Sequence, residues 1–64
     1  MSDRAQRVLD ALMKFDATDE YDYPLEALHD FVTNISTFKI IGDYEALTVD
    51  EEKQIIKAFL EFAY

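Results

Sequence analysis

Phe38-Lys39-Ile40-Ile41-Gly42-Asp43-Tyr44-Glu45-Ala46-Leu47 is the stretch on which the fold class of this chain turns. Read one way, Gly42-Asp43 between two apolar runs is a two-residue hairpin signal. The chain would then be α+β, with a two-stranded hairpin. Each strand would hold only four residues, and an isolated hairpin that short is marginal in water. Read the other way, residues 37–47 are an irregular or short helical connection, with Gly42 supplying a positive-φ turn. The shortness of the strands favours the connection.

The flanks of this stretch are easier to read. On its C-terminal side, Thr48-Val49-Asp50-Glu51 has the form of a capping box, in which Thr and the Glu three residues later satisfy each other's backbone amides. Asp50, Glu51 and Glu52 stand in the first turn, where the positive end of the helix dipole favours acids. Ile55, Ile56, Phe59, Leu60, Phe62 and Ala63 then give a broad apolar face, and the spacing predicts a helix over 48–63. On its N-terminal side, Tyr23 precedes the only proline and is biased out of the helical region. Pro24 suits the first turn of a helix, which needs no amide donor there. Leu25, Leu28, Val32 and Ile35, with Phe31 alongside, form the expected buried stripe of a helix over 24–35. Thr33-Asn34-Ile35-Ser36-Thr37 ends it, because these short polar groups compete for the backbone.

Residues 2–15 make the first helix. Ala5, Val8, Leu9, Leu12 and Met13 fall at helical spacing, Ser2 or Asp3 can cap the start, and Asp10 and Lys14 stand four apart in the favourable order. Residues 16–23 have turn chemistry and no apolar period, and read as a surface loop. The expected architecture is therefore an all-α, compact three-helix bundle in one small acidic domain, residues 1–64.

Length and composition narrow the rest. A chain of 64 residues buries only about 60% of the surface its unfolded form exposes, so its stability is marginal. With no cysteine and one histidine, disulfides and Cys-based zinc sites are excluded as supplements. An apolar core and self-association remain: half the residues are hydrophobic and nine are Phe or Tyr. No apolar run approaches the roughly 18 residues of a membrane span. The N-terminal residues lack the apolar core of a signal peptide, so the expected location is cytoplasmic.

The charge is regional. Phe15 to Glu52 carries eleven acids against the single base Lys39, −10, while each flank comes to +1; together they make the net −8. Such a charge repels nucleic acid and anionic lipid and favours basic proteins. The densest part, Asp16 to Pro24, also holds two tyrosines, and tyrosine is a favoured interface anchor. The candidate partner-binding residues are Asp16, Asp19, Glu20, Tyr21, Asp22, Tyr23, Glu26 and Asp30, with Asp43, Tyr44 and Glu45 as a second group. The bland alternative is a solvated face that keeps a hydrophobic domain soluble, with each tyrosine ring packed on the core and its hydroxyl in water.

Enzymatic readings find little support. His29 is the only histidine and reads as a helix residue beside Leu28, not as half of a nucleophile pair. One glycine rules out a phosphate-cradling loop. An EF-hand loop starting at Asp16 would place Tyr21 at the required glycine and Ala27 at the bidentate acid, so the motif fails. No catalytic residue, cofactor or metal is expected. The leading expectation is a small acidic inhibitor that blocks a basic, nucleic-acid-binding surface of a partner by mimicking nucleic acid, with a phage-encoded protein in the host cytoplasm as one source. In size and charge alone the chain resembles nucleic-acid mimics and nuclease-immunity proteins. The alternatives are an immunity or antitoxin protein, and a helical adaptor or homodimer acting through the apolar face Ile55 to Tyr64.

Overall fold

The computed structural model describes residues 1–19 and 21–63, Asp19 by its backbone alone. Helix α1 spans Asp3–Asp19, α2 Pro24–Thr33, α3 Ile41–Glu45 and α4 Val49–Ala63, with a 3₁₀ turn at Ile35–Thr37. Among the described residues no strand forms, and the chain is an all-α bundle. Its Cα radius of gyration of 10.7 Å matches the value of about 11 Å for a compact chain of this length.

The starts of the long helices follow local chemistry. Ser2 Oγ accepts the Ala5 amide at 3.2 Å and caps α1. Tyr23 is extended, with φ −126° and ψ 129°, and Pro24 opens α2 as its first helical residue. At α4 the capping box is complete: the Thr48 amide donates to Glu51 Oε1 at 2.9 Å, and the Glu51 amide donates to Thr48 Oγ1 at 3.2 Å.

Three features depart from the reading of the sequence. First, α1 continues to Asp19 instead of stopping at Phe15, so residues 16–19 are helical and the loop is shorter. Nothing in Asp16-Ala17-Thr18 forbids helix. The Thr18 hydroxyl donates to the Lys14 carbonyl at 2.8 Å, which satisfies inside the helix a group that otherwise competes with it. Second, residues 37–47 form the short helical connection favoured over a hairpin, but Gly42 is no positive-φ turn: it lies inside the short helix α3. A 3₁₀ turn and α3 carry the connection, with the Thr37 hydroxyl donating to the Asn34 carbonyl at 2.7 Å. Third, α2 is rotated from its expected face. Pro24, Ala27 and Phe31 are buried, while Leu25 is 62% exposed and Val32 40%. Ala27 has no exposed surface, and its small side chain lets α2 close on α1. Phe31 then buries more apolar area than any aliphatic residue on the opposite phase would.

Helix α1 is the central element, packing against α2, α3 and α4. It contributes Ala5, Val8, Leu9 and Leu12 to the core, α2 contributes Ala27 and Phe31, and α4 contributes Ile55 and Phe59. Toward the C-terminal end of α1 an aromatic cluster extends this core. Phe15 lies 5.5 Å from Tyr21, 5.6 Å from Phe31 and 5.6 Å from Phe38 between ring centroids, and Phe31 stacks on Phe38 at 5.4 Å.

Two substitutions test this fold. A Cβ at Gly42 would meet no atom within 4 Å, so Gly42→Ala should stabilise the chain by about 0.5–1 kcal/mol by removing glycine from a helix. A lower urea midpoint would mean that residue 42 is in a turn. Phe59 has no exposed surface, and Phe59→Ala should remove about 3–5 kcal/mol. A domain of this length is stable by only about 3–10 kcal/mol, so the urea midpoint followed by circular dichroism should fall steeply for Phe59→Ala, whereas Ile56→Ala, at a position 41% exposed, should lower it far less.

Candidate functional site

The acids of the central stretch fall into two groups, those consumed inside the molecule and those left on its surface. Glu51 heads the first group. It is only 8% exposed, and its carboxylate accepts the Ser2 hydroxyl, the Thr48 amide and the Arg4 guanidinium, with Arg4 Nε and Nη2 at 3.1–3.2 Å. The Ser2 hydroxyl, the Thr48 amide and Arg4 together hold the carboxyl far below its ordinary value of 4.5, at about 2. Asp43, a candidate for partner binding, forms a two-point pair with Arg7, at 2.8 Å to Nε and 2.9 Å to Nη2. The Arg7 hydrogen bonds lower the Asp43 pKa, and the same bonds raise that of Arg7. Both partners keep part of their surface in water, so this pair contributes little to stability.

Two of the tyrosines proposed as anchors are also turned inward. The Tyr21 hydroxyl donates to Asp30 Oδ2 at 2.9 Å, and its ring packs on Phe15, so Tyr21 and Asp30 together brace the loop against α2. Tyr44 is half-buried against the core. Asp16 is half-buried on α1. The side chains of Asp19 and Glu20 lie outside the described residues.

Among the described residues, exposed candidates cluster at the start of α2. Asp22, Tyr23 and Glu26 are exposed, and so is Leu25. Tyr23 is 68% exposed, the most solvent-facing of the large hydrophobic residues described. Glu45 is exposed at the end of α3. Leu25 was missed from the sequence because it was assigned to the core. Its helical spacing from Leu28 and Val32 fits a buried stripe as well as an exposed one, and the signal that separates them is the size of Ala27.

Two grooves flank the bundle. The larger, about 450 Å³, has Ala11, Phe15, Phe31 and Phe38 for its walls and is edged by Lys14 and Lys39. The smaller, about 180 Å³, is lined among others by Leu28, Phe31 and Val32 of α2 and Ile55 and Ile56 of α4. Among the described residues no group of three or more His, Asp or Glu side chains is placed to hold a metal ion. Among the described residues no helix is long and apolar enough to cross a membrane. No protein-family model, curated protein or solved structure matches the chain.

The Glu51 network has a defined pH signature. Its pKa is lower in the folded chain than in the unfolded one, so on acidification the unfolded chain takes up this proton first. The contribution of Glu51 is complete above about pH 4.5 and is lost as the pH falls to about 2. Glu51→Gln should lower the urea midpoint at neutral pH more than Glu52→Gln does. The gap between wild type and Glu51→Gln should close through that acid window. A gap that stays constant across it would show that the Glu51 charge carries no stability.

Proposed function

We propose that this chain is a non-enzymatic interaction protein that blocks a basic, nucleic-acid-binding surface of a partner protein. The observation that carries the reading is Tyr23, 68% exposed and set between the exposed acids Asp22 and Glu26. A large ring held in water is a poor use of apolar surface in a small domain unless a partner covers it. Tyrosine flanked by acids supplies both an anchor and a complementary charge for a basic groove.

Electrostatics supports the same assignment. Arg4 and Arg7 pair with Glu51 and Asp43, which removes two acids from the outward field. Asp22 and Glu26 keep theirs, and Asp30, which accepts from the neutral Tyr21 hydroxyl, keeps its charge as well. Glu26 and Asp30 stand four apart on α2, with Cβ atoms about 5–6 Å apart, while phosphates on one DNA strand advance about 3.4 Å per step. Acids at this spacing approximate the charge density of a nucleic-acid backbone and draw a basic partner by steering. The same physics serves a phage-encoded inhibitor acting in a host cytoplasm and an immunity or antitoxin protein against a basic nuclease.

A second reading, a helical adaptor or homodimer, draws on the apolar residues that α2 and α4 leave in water. Val32, Ile56 and Phe62 are exposed, and the first two line the smaller groove.

The test begins with a partner captured at low salt. The acidic-patch reading expects its affinity to fall steeply with added salt, and expects duplex nucleic acid to compete with this chain for it. Combining Asp22→Asn, Tyr23→Ala and Glu26→Gln should cost about 2 kcal/mol or more of binding, the scale of a tyrosine anchor, without changing the urea midpoint. Tyr21→Phe is the control: it should cost stability of about 1 kcal/mol through the lost bond to Asp30 and leave affinity unchanged. Salt-independent binding that survives the triple substitution but is lost with Ile56→Asp would assign the interface to the α2–α4 face.

A further inference from the structure

We propose that the larger groove is a binding site for a small amphiphilic carboxylate, an aliphatic or aromatic body carrying a single anionic head. None of its lining residues belongs to the acidic patch at the start of α2. Its volume, about 450 Å³, lies within the range of about 300–1,000 Å³ found for small-molecule sites, which are mostly apolar with a few placed polar groups. The walls come from three segments of the chain: Ala11 and Phe15 from α1, Phe31 from α2, and Phe38 from the connection before α3. The rings of Phe15, Phe31 and Phe38 contact one another at 5.4–5.6 Å, so the apolar floor is held in place by its own packing.

The polar groups on the rim set the charge of the ligand. Thr18 also lines the groove, but its hydroxyl proton is committed to the Lys14 carbonyl at 2.8 Å. The ammonium groups of Lys14 and Lys39 are thus the donors left to a ligand. In a chain of net charge −8, cations pair readily with acids, as Arg4 and Arg7 do. Lys14 and Lys39 form no ion pair among the described residues, and they reach the same apolar groove from different elements. Lysine stems lie along apolar surface while their heads stay in water, which places positive charge at the mouth of the groove. An apolar body would fill the groove and one carboxylate would meet the two ammonium groups. A polyanion would be repelled by the charge of the rest of the chain, and a cation by the two lysines.

Titration of the full chain with decanoate, followed by NMR, tests the site, with decanol and decyltrimethylammonium as probes of equal chain length. Decanoate should bind saturably below its micelle concentration and shift the signals of Phe15, Phe31, Phe38 and Ile40. Decanol and decyltrimethylammonium should bind more weakly. Combining Lys14→Gln with Lys39→Gln, both at exposed positions, should weaken decanoate about tenfold, the worth of two exposed charge pairs, and leave decanol unchanged. Ala11→Met, which fills the groove, should abolish binding with the helical circular dichroism retained. The proposal is overturned if decanol or the cation binds as tightly as decanoate, or if the double lysine variant binds decanoate like the wild type. It is equally overturned if the shifts fall on Val32 and Ile56 of the other groove, or if a second copy of the chain fills this groove and dilution alone moves its signals.

Discussion

A single carboxylate ties the start of the first helix to the start of the last. Glu51 closes the capping box of α4 and, with the same two oxygens, accepts from the residue that caps α1 and from Arg4 two residues further on. The orphan amides of two helix starts are thereby satisfied around one side chain, and a cation from α1 balances its charge. A nearly buried carboxylate would be costly alone. Here both oxygens meet donors, and among the described residues no buried side-chain nitrogen or oxygen lacks a partner.

The rest of the bundle depends on that junction. Once α1 and α4 are fixed, Phe59 and Ile55 close on Leu9, Leu12 and Val8, which is most of the core a 64-residue chain has. The other side of α1 receives α2 through Ala27 and Phe31, and the aromatic cluster extends the apolar interior beyond the last turns that α4 covers. Arg7 also bridges α1 and α3 through Asp43, in water and at little gain in stability. Both arginines of the first helix thus pair within the molecule, while its lysine, Lys14, and Lys39 edge the larger groove.

The acidic stretch therefore has two functions within one run of sequence. Glu51, Asp43 and Asp30 are bonded within the molecule, and Asp22, Glu26 and Glu45 are left to water. The dense negative charge is not merely a solvated coat, since part of it organises the fold. The tyrosines divide likewise: Tyr21 and Tyr44 support the core, and Tyr23 stands out from it. Of the candidates whose side chains are described, Asp22, Tyr23, Glu26 and Glu45 are left exposed, because residue type does not say which acids have an internal partner within reach.

The sequence by itself determined the all-α class, the three long helices, Pro24 at the start of α2 and the capping box at Thr48. Each of these rests on residues within a turn or two of one another, whose period and backbone chemistry are written locally. Only the tertiary structure decided the face that α2 turns inward, the helical state of Gly42, and the division of the acids between framework and surface. Arg4 and Glu51 are 47 residues apart, and Arg7 and Asp43 are 36. No local pattern encodes such pairings, because they exist only after α1 has become the axis on which the other helices pack.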